Sequence, residues 1–315
     1  MTPPPGRPQP PAVPAVPAGL AAVAARGPAW ADWLDRLPRL LADVLDDWAL
    51  APDGAPTHGR CALVVPVRTE DGTRAALKLT FPHPEAETEH LALRRWGGRG
   101  AVQLLRADPH RFALLLERLK PRDLRDLPTD DAVAVVAGLY PRLHVPALPQ
   151  TPRLSAHLAR WADGLTALPR SAPVPRRYVE QAAALARTLA ADPAVDARLL
   201  HGDLHDANVL AGLREPWLAI DPKPLAGDPH WEPAPLLWNR WQAAVGSGDL
   251  RGALRQRLWI ACDVGGLDPD RARDLTVVRV MVNALEEIED AAARGTEPDR
   301  DWLTRQVAIA KAVQD

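Results

Sequence analysis

The sequence has few cysteines and no long hydrophobic run. Its two cysteines, Cys61 and Cys262, are far apart and offer neither a disulfide framework nor a metal-ligand cluster, which favours a reducing cytoplasm. No apolar run approaches the roughly 20 residues that a membrane-spanning helix needs, so no membrane association is expected. The formal net charge of −2 lacks the basic excess of a general nucleic-acid binder. No nucleic-acid partner is therefore expected.

Lysine is also scarce. Lys78, Lys120, Lys223 and Lys311 are the four lysines, which leaves 34 of the 38 basic residues as arginine. With abundant alanine and proline, this bias is typical of a GC-rich genome, in which a generic positive charge is encoded as arginine. Each remaining lysine is therefore of interest as a candidate functional residue.

The chain begins with a proline-rich segment and continues into a sheet-rich front half. Residues 1–18 are expected to be extended or disordered; a signal peptide is disfavoured because no long apolar region follows a basic start. Residues 30–48 have the apolar spacing of a helix, with Pro38 as a kink or break. Further along, the pattern predicts a hairpin of strands at 62–68 and 74–81, a helix at 84–96, and strands at 102–108 and 111–119.

The second half of the chain is mainly helical. Helical patterns cover residues 129–143, 152–168 and 175–191, and a strand-loop-strand island at 201–220 precedes further helices. This order predicts an α+β fold of two lobes. A small sheet-rich N-lobe is expected at 19–117 and a larger, mostly helical C-lobe at 118–315, after the tail at 1–18.

The segments HGDLHDANVL at 201–210 and WLAIDPKP at 217–224 contain the strongest chemical signal. Asn208 and Asp221 supply the hard oxygen ligands that Mg²⁺ prefers. Asp203 is suited to orient a substrate hydroxyl and accept its proton during phosphoryl transfer. The pattern therefore predicts Mg-ATP bound beside a substrate hydroxyl.

Two other interpretations of the first segment stay open. It could be a polar loop that caps a helix beginning near Ala207. Alternatively, the crowding of His201, Asp203, His205 and Asp206 could indicate a zinc or hydrolytic cluster, although no HExxH-like spacing is present.

Lys78 is a candidate nucleotide-binding residue on the second strand of the predicted hairpin. A strand lysine usually faces solvent, but this one precedes a nucleotide-type Asp/Asn/Asp pattern and is therefore expected to reach phosphate. Glu89 in the following helix is the favoured carboxylate partner, with Glu85 and Glu87 as alternatives. No GxGxxG loop is present, and the turn at 54–59 is a weak candidate for covering the phosphates.

These segments resemble the aminoglycoside phosphotransferase superfamily, a branch of the protein-kinase-like fold, and especially its streptomycin 6-kinase and hydroxyurea phosphotransferase group. HGDLHDANVL is similar to the catalytic loop of that group and AIDPKPLAGDP to its metal-binding segment, within a similarity that runs from about Trp48 to Trp241. The resemblance implies a bilobal protein-kinase-like fold. It also implies ATP- and Mg²⁺-dependent phosphorylation of a hydroxyl on an aminoglycoside-type antibiotic, such as streptomycin, or on hydroxyurea.

The resemblance also implies roles for individual residues. Asp203 would be the catalytic base, and Asn208 and Asp221 would bind Mg²⁺. Lys78 would contact the α and β phosphates, with Glu89 as its ion-pair partner.

Other implied roles concern the adenine, the phosphates and the substrate. The hinge at Glu117–Arg118 would present backbone groups to the adenine, and Lys223 would either touch phosphate or brace its loop. Glu232 stands where the group usually has Asp, which bears on the substrate side. Asp228 is a further candidate for touching the substrate, or it could simply cap a turn.

These motifs do not specify the acceptor. A polycationic acceptor would favour an acidic pocket, but the acidic residues at 286–290 lie on a helix whose exposed face accounts for most of them. The alternatives are a kinase of the same fold that acts on a sugar or another hydroxylated metabolite, and a catalytically silent nucleotide-binding protein. A cytoplasmic monomer or weak dimer is expected.

Overall fold

A computed structural model describes residues 14–314 of the chain, which divide into two units. The first comprises the residues up to 97 together with 102–119, and the second comprises 98–101 together with 120 onward. Most of the tail predicted at 1–18 lies outside the described residues, while residues 14–17 precede the first helix without regular structure. The division falls two residues after the predicted boundary at 117/118.

The first unit consists of helices and an antiparallel sheet. Its elements are α1 (Ala18–Ala21), α2 (Pro28–Asp47), β1 (Ala51–Pro52), β2 (Thr57–His58), β3 (Ala62–Arg68), β4 (Arg74–Thr80), α3 (Pro84–Glu87), α4 (Glu89–Trp96), β5 (Leu104–Asp108) and β6 (Ala113–Glu117). The sheet has the strand order β1-β3-β4-β6-β5, and β2 also pairs with β3.

The β3–β4 hairpin follows from apolar residues that alternate along both strands and from a glycine in the turn between them. Leu63 pairs with Leu79 and Val65 with Leu77, and all four side chains are fully buried. Gly72 adopts a positive φ of 85°, which a residue without Cβ tolerates best. The predicted hairpin is therefore confirmed, with its second strand ending at Thr80 instead of residue 81.

Helix α2 packs an apolar stripe against the same core as the hairpin. Trp33, Leu37, Leu41 and Val44 are spaced three or four residues apart, and all are buried. The predicted break at Pro38 is wrong, because the helix continues through it. Pro38 is exposed, so water can bond the backbone groups that its ring leaves without a partner.

Two predicted helices are each divided in the structure. The stretch at 84–96 forms α3 and α4 because Thr88 becomes the N-cap of the second helix, and its carbonyl accepts the amide hydrogen of Leu91. The stretch at 129–143 is likewise divided, near Gly138. Glycine disfavours a helix interior, which explains the second interruption.

The second unit is mainly helical. Its helices are α5 (Thr129–Ala137), α6 (Tyr140–Leu143), α7 (Leu154–Ala167), α8 (Arg176–Ala190), α9 (Pro235–Trp238), α10 (Trp241–Gly246), α11 (Leu250–Gly265), α12 (Pro269–Arg294) and α13 (Arg300–Gln314). Its strands are β7 (Arg198–Leu200), β8 (Val209–Ala211), β9 (Trp217–Ala219) and β10 (Leu225–Gly227). Short 3-10 helices lie at Leu124–Asp126, Asp206–Asn208 and Pro229–Trp231.

The four strands of this unit form two separate pairs. Strand β8 pairs with β9, and β7 pairs with β10, both in antiparallel register. The residues between β7 and β8 therefore lie beside those between β9 and β10. The apolar faces of α7, α8, α11, α12 and α13 form the main buried clusters of the unit.

No helix within residues 14–314 is both long enough and apolar enough to cross a membrane. Cys61 and Cys262 do not form a disulfide.

We expect Leu37→Ala to destabilise the first unit by about 2–5 kcal/mol, because it leaves a cavity at a fully buried position of the α2 stripe. Urea denaturation followed by tryptophan fluorescence measures the effect. Leu213→Ala is the control, since Leu213 is 74% exposed and its truncation should change the free energy of unfolding little. Equal unfolding midpoints for Leu37→Ala and the wild type would contradict this packing.

Candidate functional site

His201 joins the loop after β7 to the segment after β9. Its Nε2 donates to the carbonyl oxygen of Ile220 (2.9 Å), and its own carbonyl oxygen accepts the amide hydrogen of Lys223 (2.8 Å). Its Nδ1 accepts the amide hydrogen of Asp203 (3.3 Å). Together these bonds require a neutral imidazole with its proton on Nε2. Burial lowers the pKa of His201 to about 4, consistent with that form.

Gly202 allows the two backbone segments to approach closely. It has a positive φ of 81°, and a Cβ at this position would overlap the carbonyl oxygen of Lys223. Only a residue without a side chain fits both conditions. The backbone of Lys223 is therefore fixed beside the residue that precedes Asp203.

Asp203 is a partly buried carboxylate next to a positive charge. Lys223 Nζ lies 2.9 Å from Asp203 Oδ2, and His205 Nε2 lies 3.9 Å from Oδ1. Burial alone would raise the pKa of Asp203, but Lys223, His205 and Arg279 outweigh it, so the pKa is below its ordinary value. Asp203 is therefore ionised at neutral pH, as a general base must be.

Asn208 and Asp221 lie at adjoining ends of the β8–β9 pair. The amide hydrogen of Ile220 donates to the carbonyl oxygen of Asn208 (2.9 Å), which brings Asn208 beside the residue that precedes Asp221. Asn208 Nδ2 donates to the carbonyl oxygen of Asp203 (2.8 Å), which fixes the orientation of the side-chain amide. Asp221 has a positive φ of 56°, a conformation for which Asp is enriched. One amide oxygen and one carboxylate fit Mg²⁺, which takes few protein ligands beside phosphate and water.

The zinc interpretation finds no support in the geometry. Within residues 14–314, no group of three or more His, Cys, Asp or Glu side chains is placed to hold a metal ion. His201 is engaged by backbone groups, and Asp206 pairs with Arg240 (2.8 Å). The helix suggested near Ala207 is only the 3-10 turn at Asp206–Asn208, which His205 Nδ1 caps by accepting the amide hydrogen of Ala207 (3.2 Å), and strand β8 follows it directly.

Lys78 and Glu89 form a buried ion pair in the first unit. Lys78 Nζ lies 2.6 Å from Glu89 Oε1, and the two residues are 5% and 3% exposed. Lys78 is therefore not a solvent-facing strand lysine. Because desolvation offsets much of the attraction in a buried pair, its presence favours a functional role over a stabilising one.

The Glu117–Arg118 segment is held against neighbouring strands. The amide hydrogen of Glu117 donates to the carbonyl oxygen of Gln103 (2.9 Å). Arg118 Nε donates to the carbonyl oxygen of Ala75 (2.8 Å), and its Nη2 donates to that of Val67 (3.0 Å). An adenine contact at this segment would therefore use its remaining backbone groups.

The phosphate-covering turn suggested at 54–59 contains strand β2 (Thr57–His58), and residues 53–56 connect β1 to that strand. Asp53, just before this turn, pairs with Arg68 (3.1 Å) and lies 3.4 Å from Arg74. These ion pairs anchor the start of the turn.

Glu232 and Asp228 are not positioned to touch a substrate, which corrects the expectation for both. Glu232 is completely buried, and its Oε1 accepts the amide hydrogens of His201 (2.5 Å) and Gly202 (3.1 Å). Asp228 is 4% exposed; its carboxylate caps the next turn through the amide of His230 (3.0 Å) and also bonds Arg271. Both carboxylates therefore support the backbone from inside the unit.

Arg279 completes this support, and sequence reasoning missed it. From its buried position in α12, it donates to the carbonyl oxygens of Trp231 (2.9 Å) and Gly202. The available signal was a single charge inside the apolar run at 277–282, VVRVMV. A buried charge at such a position requires polar partners.

We expect Glu232→Gln to change how stability depends on pH. Burial raises the pKa of Glu232 to about 7, against an ordinary 4.5, so between these values the folded protein retains a proton that the unfolded chain releases. The free energy of unfolding of the wild type should therefore fall relative to that of the variant as pH rises from about 4.5 to about 7. Urea denaturation of both proteins at several pH values measures the difference.

His144 lies 3.9 Å from Glu232 but stays neutral in the folded protein over this range, because burial lowers its pKa to about 3, and its protonation in the unfolded chain is common to both proteins. Arg279 stays charged throughout. Parallel pH profiles for the wild type and Glu232→Gln would contradict the assignment.

Comparison with known proteins connects this geometry to a family. The model of the family described as aminoglycoside/hydroxyurea antibiotic resistance kinase matches residues 47–291. Streptomycin 6-kinase of Streptomyces glaucescens is 43% identical over 271 residues, which cover 81% of this chain and 84% of that protein. Hydroxyurea phosphotransferase of Kitasatospora aureofaciens is 44% identical over 282 residues, 86% of this chain and 78% of that protein.

Among solved structures, a choline/ethanolamine kinase family protein from Mesorhizobium loti superposes with a TM-score of 0.58 at 17% sequence identity. The matched region covers 88% of this chain and 95% of the Mesorhizobium loti chain. At this identity the likeness concerns the fold alone, and it confirms the predicted α+β, protein-kinase-like fold. The predicted family resemblance is confirmed by the family match and by the two relatives. The chain belongs to the aminoglycoside/hydroxyurea antibiotic resistance kinase family and is a phosphotransferase that uses a nucleotide and acts on a small molecule.

Proposed function

We propose that the protein transfers the γ-phosphoryl group of ATP, in the presence of Mg²⁺, to a hydroxyl of an aminoglycoside-type antibiotic such as streptomycin, or to hydroxyurea. The relatives named streptomycin 6-kinase and hydroxyurea phosphotransferase support this substrate class. The main structural support is the junction at His201, which holds ionised Asp203 beside the segments of Asn208 and Asp221.

Asp203 is the proposed catalytic base. It accepts the proton of the acceptor hydroxyl while the acceptor oxygen forms a bond to the γ-phosphorus. The bond from that phosphorus to the bridging oxygen of ADP breaks, and ADP leaves. The transfer is direct and in line, without a phosphoenzyme.

Asn208 and Asp221 are the proposed ligands of Mg²⁺, through their side-chain oxygens. When bound there, Mg²⁺ would neutralise phosphate charge. Lys78 contacts the α and β phosphates, and Glu89 orients its ammonium through the 2.6 Å ion pair. Backbone groups of Glu117–Arg118 receive the adenine.

Glu232 and Asp228 act on the protein rather than on the acceptor. The Glu232 carboxylate holds the amides of His201 and Gly202, and thereby sets the position of Asp203. Asp228 fixes the turn that leads to Glu232.

We further propose a cytoplasmic location and a monomeric or weakly dimeric state. The requirement for ATP and the absence of a disulfide between Cys61 and Cys262 support the first proposal. The second is supported by the fact that one chain supplies all of the proposed site residues.

We expect Asp203→Asn to lower kcat by about 10²–10⁴-fold, because the amide cannot accept the acceptor proton. Nucleotide affinity should change little. Steady-state kinetics and calorimetric titration with ADP and Mg²⁺ measure the two effects. Asp43→Asn, an exposed change on α2, is the control. Undiminished turnover by Asp203→Asn would rule out its role as base.

An acceptor screen tests the substrate assignment. We expect ATP consumption with streptomycin or hydroxyurea. It should be lost when EDTA removes divalent cations, because Asn208 and Asp221 carry no positive charge that could neutralise the phosphates. Mass spectrometry should find one added phosphoryl group on the acceptor. Other aminoglycosides and simple sugars belong in the same screen. Transfer to a sugar alone would reject the antibiotic assignment, and nucleotide binding without transfer to any acceptor would indicate a silent relative.

A further inference from the structure

The ion pair between Lys223 and Asp203 connects the metal-binding segment to the proposed base. Lys223 Nζ lies 2.9 Å from Asp203 Oδ2, and the two side chains are 39% and 22% exposed. Ion pairs with this much solvent access contribute little to stability. A role as a structural brace therefore explains the pair poorly.

The backbone already braces this loop without the lysine side chain. The Lys223 amide donates to the carbonyl oxygen of His201 (2.8 Å), and the absence of a side chain at Gly202 lets the Lys223 carbonyl oxygen approach closely. His201 Nε2 adds a bond to the same segment, at Ile220 (2.9 Å). The fold therefore places the stem of Lys223 beside Asp203 by contacts that any side chain at 223 would keep.

The Lys223 ammonium lies beside the carboxylate that is the proposed base of the transfer. A general base lies about 2.6–3.2 Å from the hydroxyl oxygen whose proton it takes, and that oxygen lies about 3–3.5 Å from the phosphorus it attacks. A cation 2.9 Å from the same carboxylate therefore lies within about 10 Å of the γ-phosphorus, close enough for rotation of the side chain to bring the ammonium to a phosphoryl oxygen. The flexible stem and rotatable donors of lysine allow it to contact both groups.

We propose that Lys223 is a catalytic residue that binds an oxygen of the γ-phosphoryl group during its transfer. This inference rests on the proposed function. The acceptor hydroxyl gives its proton to Asp203, the new phosphorus–oxygen bond forms, and the bond to ADP breaks. Lys223 keeps its proton throughout and supplies only positive charge.

Proton transfer to Asp203 favours the move of the Lys223 ammonium from Asp203 to the phosphoryl group. As Asp203 takes the proton it loses the negative charge that attracts Lys223, while the phosphoryl oxygens remain anionic. Lys223 thus stabilises the transferring group more than the ground state, which is the condition for raising kcat.

The test compares Lys223→Met, which keeps approximate length and removes the charge, with Lys223→Arg, which keeps the charge. Lys311→Met, at an exposed position of α13, is the matched control. Calorimetry with Mg²⁺ measures the affinity for ADP and for the β,γ-imido analogue of ATP, and steady-state kinetics with streptomycin or another active acceptor measures kcat. Urea denaturation verifies that each variant folds, and Lys223→Gln replaces Lys223→Met if the latter does not.

We expect Lys223→Met to weaken binding of the analogue by about tenfold, with ADP affinity unchanged, and to lower kcat by about 10²-fold. Lys223→Arg should recover part of both losses, and Lys311→Met should match the wild type. Equal weakening of ADP and analogue, or no change in analogue affinity or in kcat, would overturn the role of Lys223. Failure of the wild type to bind either nucleotide would instead reject the proposed function.

Discussion

The rest of the site depends on the two hydrogen bonds that the neutral imidazole of His201 makes to the backbone. One nitrogen donates to the segment that contains Asp221, and the other accepts from the amide of Asp203. Protonation would remove the acceptor and leave a buried charge, so the arrangement requires the deprotonated ring. The Glu232 carboxylate accepts the amide hydrogens of His201 and Gly202, and Arg279 donates to the carbonyl oxygen of Gly202. The backbone of the site is therefore set mainly by these buried hydrogen bonds.

Each unit contains buried charged groups among its proposed site residues or in contact with their backbone. Lys78 and Glu89 in the first unit, and Glu232 and Arg279 in the second, are charged or titratable groups almost removed from water. Such burial costs free energy that an apolar core would not require. Function explains its retention better than stability, since Glu89 orients Lys78, and Glu232 and Arg279 bond the backbone that precedes Asp203.

Local patterns in the sequence predicted the features that depend on local physics. The β3–β4 hairpin follows from alternation and Gly72, and the spacing of Asp203, Asn208 and Asp221 indicated the chemistry because both segments are short. The bonds from Glu232 to His201 and from Arg279 to Gly202 join residues 31 and 77 positions apart, respectively. Periodic patterns in a sequence do not indicate contacts between residues so far apart. The expectation that Glu232 binds the substrate is therefore wrong, because its contact with the His201 backbone could not be predicted.

Amine-selective reagents would find few targets on this chain. Apart from the terminal amine, it has four primary amines, and Lys78 is buried against Glu89. Of the others, Lys120 and Lys311 are exposed, whereas Lys223 stands partly open beside Asp203. An acylating group attached to a nucleotide would meet two lysines of the proposed site, Lys78 and Lys223, of which only Lys223 is partly exposed, while the 34 arginines, whose guanidinium groups resist acylation, give no background. Because lysine is scarce and Lys78 is buried, Lys223 is the more accessible target in the proposed site for a covalent probe.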